Sequence, residues 1–440
     1  MNGRTQEAGA LPATALLPLY RLATWAAQPF LPGLLARRAA RGKEDPTRMA
    51  EKLGRYLQGR PAGPLVWLHG ASVGEAVSAL PLIEALLARD PRLHVLLTTG
   101  TRTSAEMMAR RLPPRALHQF APLDAPAPVA RFLDHWRPDA GLLLESELWP
   151  NLIAMARARG VPLALVNARL SARSAARWQF PGAPRGLFAA FARILAQDAT
   201  TAERLKALGA RDVAVPGNLK YAAPPLPADP EEVAALDIQL GDRPRWVAAS
   251  THPGEETQVL GAHARLRRTA PDALLILVPR HPERGAEVAA LARGQGLAVT
   301  LRSAGEAIGP ATAVHVADTL GELGLFYRAA ALAFLGGSLV PHGGQNALEA
   351  ARLGCAILHG PHIGNFAEIY ARLDAAGGAE TVADGEALAT RIAALAAAPD
   401  LLARTGDAAR ALAVEESGVV DRIVAALAPI LPPPAPETDR

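Results

Sequence analysis

Apolar positions along this chain fall in short unbroken runs rather than in alternation, and longer Ala/Leu/Glu/Arg stretches with helical spacing separate them. The first half carries LVWLHG, HVLLTTG, HQFAPL, GLLLES, LALVNA, RILAQD and VAVPGN; the second carries RWVAAST, LLILVPR, AVTLRS, AVHVAD, LAFLGGS and CAILHGP. A strand that is apolar throughout is one covered on both faces, so the pattern predicts parallel sheets flanked by helices, an α/β fold. Two such series predict two doubly wound, Rossmann-like domains.

Between the series lies NLKYAAPPLPADPEEV, whose Pro224, Pro225, Pro227 and Pro230 break helix and strand alike. The expected organisation is an N-terminal segment 1–45, a domain 46–221, a Pro-rich linker 222–232, a domain 233–430 and a disordered tail 431–440. Such domains bind ligands at the carboxyl ends of their strands, and a stiff hinge would leave a cleft between the two edges.

Composition sharpens this only at the N-terminus. Of the net charge of +4, the first sixty residues hold ten basic against four acidic side chains, so the remainder is slightly acidic. Leu11 to Lys43 carries Tyr20, Trp25 and Phe30 ahead of Arg37, Arg38, Arg41 and Lys43. Arg21 and Pro18, Pro29 and Pro32 interrupt it, which argues against a spanning helix and for a segment lying on an anionic bilayer. Basic and aromatic residues do not interleave elsewhere, so no nucleic-acid partner is indicated. Cys355 is the single cysteine, which excludes an internal disulfide framework.

The chemistry-bearing residues cluster where strands are predicted to end. In HGASVGE, Glu75 opens a helix after the first strand; in ESELWPN, Glu145 and Glu147 stand two apart and are expected on one side of the chain. GNLKY contains Lys220, one of four lysines among forty-six basic residues. NARLSARS adds Asn167, Arg169, Ser171, Arg173 and Ser174. In the second half STHPGEE, PRHPER and DTLGEL follow strands, and FLGGSLVPHGGQNALEAA runs through two glycine pairs into a helix. Bare main chain at a helix N-terminus is expected to receive a phosphate, with the Glu349 carboxylate free to accept ribose hydroxyls. GASVGEA has neither the Lys-Ser/Thr of a P-loop nor GxGxxG, and no HExxH or clustered Cys/His appears, so neither a catalytic metal nor a bound cofactor is called for.

Those eight blocks, taken in the order of the chain, resemble the 3-deoxy-D-manno-octulosonic acid (Kdo) transferases of lipopolysaccharide biosynthesis. The resemblance implies a GT-B glycosyltransferase that moves Kdo from CMP-Kdo to a lipid A precursor (lipid IVA) at the cytoplasmic side of the inner membrane, inverting the anomeric centre without a metal. It places the general base on Glu75 and transition-state stabilisation on Glu145 and Lys220. CMP contacts fall on Pro279 and Arg280, on Leu320, Gly321 and Glu322, and on Asn346, Ala347, Leu348 and Glu349. Three alternatives remain at this point: a GT-B enzyme using a UDP-sugar on another membrane glycolipid, a nicotinamide-dependent dehydrogenase, which the missing GxGxxG disfavours, and a non-catalytic membrane-bound scaffold.

Overall fold

The computed structural model describes residues 16–178, 185–222 and 224–435. The chain divides into two compact units, Met1–Ala223 with Gly418–Arg440, and Pro224–Ser417.

Among its described residues the first unit holds seven parallel strands: β1 (Leu65–His69), β2 (His94–Thr99), β3 (Ala116–Phe120), β4 (Ala140–Leu144), β5 (Leu163–Ala168), β6 (Arg193–Ala196) and β7 (Val213–Ala214). Their order is β3-β2-β1-β4-β5-β6-β7. β1, β4 and β5 are buried along their whole length, which is why they read as unbroken apolar runs. Trp67 of β1 stacks edge-on to Phe132 at 5.1 Å, and its indole N–H donates to Thr98 Oγ1 at 2.8 Å. β4 accommodates that ring because it carries Gly141: a Cβ there would stand 2.9 Å from Trp67 Cε3 and 2.5 Å from Leu163 Cδ2.

The second unit repeats the plan with β8 (Arg245–Thr251), β9 (Leu274–Pro279), β10 (Val299–Leu301), β11 (Val314–Val316), β12 (Leu332–Leu335), β13 (Ala356–His359) and β14 (Ala379–Thr381), in the order β10-β11-β9-β8-β12-β13-β14. β14 is absent from the sequence expectation because it is three residues long with two of them exposed, so it leaves no apolar run.

The expected domain boundaries need two corrections. Pro230 does not break structure but begins the helix Pro230–Leu240, where its missing N–H costs nothing, and Asp229 caps that helix by accepting from Glu231 N at 2.8 Å. The span 233–430 is not one domain. The helix Val419–Leu427 buries Val419, Ile423 and Leu427 against Leu82, Ile83 and Leu86 of the first unit. The tail expectation also fails over its first residues. Leu431 is buried, and the carbonyls of Pro432 and Pro433 accept from Arg89 and Arg92. Residues 436–440 lie outside the described ones.

The N-terminal segment forms the helices Leu16–Ala27 and Leu31–Ala39, joined by a 3-10 turn. Its inner side is tied down by polar contacts, with Tyr20 donating to Asp124 at 2.9 Å and Gln28 Oε1 accepting from Ala127 N at 2.7 Å. Leu19, Leu22, Trp25, Phe30 and Leu34 stay exposed, Phe30 at 75%. Among the described residues no helix is long and apolar enough to cross a membrane.

The docking of Val419–Leu427 is testable. Ile423→Ala removes a fully buried side chain and is expected to lower unfolding free energy by about 2–5 kcal/mol. Tryptophan fluorescence during denaturation reads this unit, which holds Trp25, Trp67, Trp136, Trp149 and Trp178. An unchanged midpoint would mean the helix is not part of that core.

Candidate active site

In the first unit the chain moves outward from β1 to β3, then returns to place β4 on the other side of β1, so the strand order reverses between β1 and β4. Loops leaving the carboxyl ends of two such strands diverge and leave a crevice. Glu75 follows β1 and Glu145 follows β4.

Glu75 is positioned by its own turn. Ser72 caps the helix Val73–Ser78 and accepts from Glu75 N, while the carboxylate reaches back, Oε1 accepting from Ser72 Oγ at 2.9 Å and Oε2 from Ala71 N at 2.7 Å. This is a close variant of a capping box. Each oxygen takes one hydrogen bond and keeps a lone pair, and the side chain is half-buried. Gly70 lets the turn lie against β4: a Cβ there would meet Leu144 Cδ1 at 2.9 Å and Glu75 Cβ at 3.1 Å.

Glu145 and Glu147 do not act as a pair. Glu145 has φ +51°, a left-handed conformation that ends the strand alternation on which their shared side was predicted. Lys220 Nζ stands 2.8 Å from Glu145 Oε1, an ion pair by distance although its angle lies outside hydrogen-bond geometry. Glu147 instead accepts from Trp149 Nε1 at 2.6 Å and lies 3.4 Å from buried His69 Nε2. Burial works to raise the Glu147 carboxyl, but His69 and the indole outweigh it and hold the group below the usual carboxylate value.

Lys220 owes its place to Asn167. That residue stands one before the end of β5, is buried, and adopts φ +53°, a conformation Asn tolerates better than most residues. Its Oδ1 accepts from Leu219 N at 2.9 Å, which fixes the short turn Leu219–Ala222 beside the helix of Glu75.

In the second unit the order reverses between β8 and β12, so STHPGEE and the glycine-rich loop flank the switch point. Here the amides at the first glycine pair are already taken, which leaves the phosphate expectation to the helix N-terminus behind Gly343 and Gly344. Buried Glu255 already occupies those amides: Oε2 accepts from Gly337 N at 2.7 Å and His252 N at 3.2 Å, and Oε1 from Leu339 N at 2.8 Å and Ser338 N at 3.0 Å. Burial pushes this carboxyl up, and the four donors oppose it. The glycines serve close packing instead. A Cβ on Gly336 would lie 2.5 Å from Ser250 O, and one on Gly337 3.2 Å from the His252 ring.

The expected CMP-contact residues lie at the end of β9 and in the segments that follow β11 and β12. Pro279 closes β9, and Arg280, exposed, donates its N–H to Thr251 O at 2.9 Å. Leu320, 82% exposed, and Gly321, φ +89°, lead to Glu322, which Arg302 grips with both Nε and Nη2. Hydrogen bonds from Arg302 lower the Glu322 carboxyl. Asn346 caps Ala347–Arg352 through Leu348 N at 3.2 Å and donates Nδ2 to Glu349 at 3.3 Å, while Ala347 and Leu348 are buried. Burial pushes the Glu349 carboxyl up, and the charge of Arg280 reaches it.

A family model described as 3-deoxy-D-manno-octulosonic-acid transferase (kdotransferase) matches residues 47–223. The chain is 35% identical over 408 residues to the 3-deoxy-D-manno-octulosonic acid transferase of Haemophilus influenzae, covering 91% of this chain and 94% of that one. The chain belongs to the Kdo transferase family. It is also 38% identical to a probable mitochondrial 3-deoxy-D-manno-octulosonic acid transferase of Arabidopsis thaliana, covering 80% of this chain and 81% of that protein. A glycosyltransferase of Rickettsia africae superposes with a TM-score of 0.57 at 12% identity, covering 84% of this chain and 99% of that one. At that identity the likeness speaks for fold alone, and two doubly wound units are the GT-B plan expected of a Kdo transferase.

Two residues important to the Kdo transferase edges escaped sequence reasoning as individuals. Asn167 was visible only as one member of a polar cluster, and the signal for it was an Asn in the last turn of an apolar run. His252 was visible only within STHPGEE. The signal there was three of the chain's eleven histidines, His252, His281 and His342, each a few residues past a strand end.

The Asn167 bond is testable. Asn167→Ala leaves the buried Leu219 N–H unpaired and is expected to cost about 1–3 kcal/mol of stability by chemical denaturation. An unaltered unfolding curve would show that the bond does not hold this turn.

Proposed function

We propose that this Kdo transferase moves a Kdo residue from CMP-Kdo to a primary hydroxyl of a lipid A precursor, lipid IVA, with inversion and without a metal ion. The observation that carries this reading is Glu75: a half-buried carboxylate, held by its own turn at the order reversal of the first sheet, with free lone pairs. It accepts the proton of the acceptor hydroxyl as that oxygen attacks the anomeric carbon from the face opposite the leaving group. The anomeric C–O bond to phosphate breaks, and its electron pair leaves with CMP. Glu145 and Lys220 form a charge pair whose ammonium is suited to compensating developing negative charge, and whose carboxylate is suited to an oxocarbenium-like centre. Arg280 supplies fixed positive charge in the second unit, a role that a metal ion fills in other transferases.

The blocks that resemble the family's CMP contacts support the donor. The exposed Leu19, Leu22, Trp25, Phe30 and Leu34, with Arg37, Arg38, Arg41 and Lys43 following them in the chain, support an acceptor met at an anionic inner-membrane surface on its cytoplasmic side.

Glu75→Gln keeps the shape of the turn and removes the base. It is expected to lower transfer of Kdo to lipid IVA by about 10²- to 10⁴-fold while leaving CMP affinity unchanged. Transfer near the wild-type rate would overturn the assignment. Wild-type turnover is expected to survive exhaustive treatment with EDTA, and a loss restored by a divalent cation would overturn metal independence.

A further inference from the structure

Three histidines of the second unit gather at the switch point, and neither a fold role nor the family's expected contacts accounts for them. His252 follows β8, His281 follows β9 and His342 lies in the loop after β12. The rings of His252 and His342 stack nearly parallel, 4.1 Å between centroids at 16°, and His281 stands edge-on to His252 at 6.1 Å. His252 is 8% exposed, whereas His281 and His342 are open to solvent.

The charges around this cluster are unbalanced. Arg284 is neutralised, donating to Glu256 at 2.6 Å and to Glu287 at 2.7 Å. Arg280 makes no side-chain ion pair or hydrogen bond among the described residues. Of the nearby carboxylates, Glu255 is committed to four amides, and Glu283 lies 3.7 Å from His281 at an exposed position. Gln345 Nε2 sits 3.3 Å from His252 Nε2, which suits a ring nitrogen that accepts. Burial, then His342, His281, Arg280 and Arg284, hold His252 down to about 4. A buried imidazole beside Arg280, whose charge reaches Glu349 without an ion pair or hydrogen bond, marks a place suited to an anion.

We infer that His252, His281, His342 and Arg280 form an anion subsite of the second unit that binds the carboxylate or the phosphate of the donor. Glu255 builds this subsite by closing the competing amides. It thereby draws the glycine-rich loop into the course that stacks His342 on His252, and Gly337 leaves room for the lower ring. An anion beside the stack offsets the repulsion on His252, which then takes up a proton. The inference rests on the CMP-Kdo reading above, and the experiment separates the two.

Calorimetric titrations with CMP, which offers only a phosphate, and with free Kdo, which offers only a carboxylate, are compared for wild type, His281→Ala and His342→Ala. Both substituted side chains are exposed, so folding should be retained, and circular dichroism checks it. Loss of a charge-assisted hydrogen bond is expected to weaken one ligand on the order of tenfold. Weakened CMP assigns the subsite to phosphate, and weakened Kdo assigns it to carboxylate. At pH 6, buffers of different ionisation enthalpy are expected to show proton uptake with that ligand, abolished in His252→Asn. Wild type binding CMP while both alanine variants match it for both ligands would overturn the subsite and leave the donor reading standing. Wild type binding neither ligand would overturn both.

Discussion

A parallel sheet ends each strand in a turn whose main-chain N–H groups have no neighbour in the ladder, and buried donors left unpaired are expensive. Both units of this protein meet that constraint with a buried side-chain oxygen at the carboxyl edge. In the first, Asn167 Oδ1 receives Leu219 N. In the second, Glu255 receives four amides from two loops. Much of what distinguishes the edges follows from those contacts: the position of Lys220 beside Glu145, the course of the glycine-rich loop and the stacking of His342 on His252.

The same device has opposite consequences for charge. An amide oxygen satisfies Leu219 without adding charge, so the Glu145–Lys220 pair stands beside a neutral support. A carboxylate satisfies the second loop and removes its amides from use. In the proposed subsite an anion would meet histidine side chains, which can be protonated or not, whereas backbone dipoles are fixed.

How much of this was legible in the sequence depends on what a residue pattern records. Strands buried on both faces announce themselves, as LVWLHG and LLILVPR did, because burial on both sides forbids polar interruptions. Glu75 was legible because a carboxylate opening a helix straight after an apolar run marks the carboxyl end of a strand. Patterns do not record what lies opposite. The core partners of Val419–Leu427 lie more than three hundred residues earlier, and nothing in its own residues says so. The glycine pairs showed bare backbone, and bare backbone equally suits a phosphate, a neighbouring strand end or a histidine ring. Glu145 and Glu147 looked like a pair because alternation was assumed to continue past Leu144. A left-handed residue at 145 ends it, and sequence carries no mark of that at a glutamate.

The return of Val419–Leu427 to the first unit has a consequence for biosynthesis. The second unit, Pro224–Ser417, is contiguous and can fold as soon as its own residues have emerged, whereas the first is completed only by residues that follow the whole of the second. Through synthesis of nearly two hundred intervening residues, Leu82, Ile83 and Leu86 wait without the helix that covers them. Until that helix has been made the nascent chain carries an open apolar surface, and the arrival of the helix is the event that closes it.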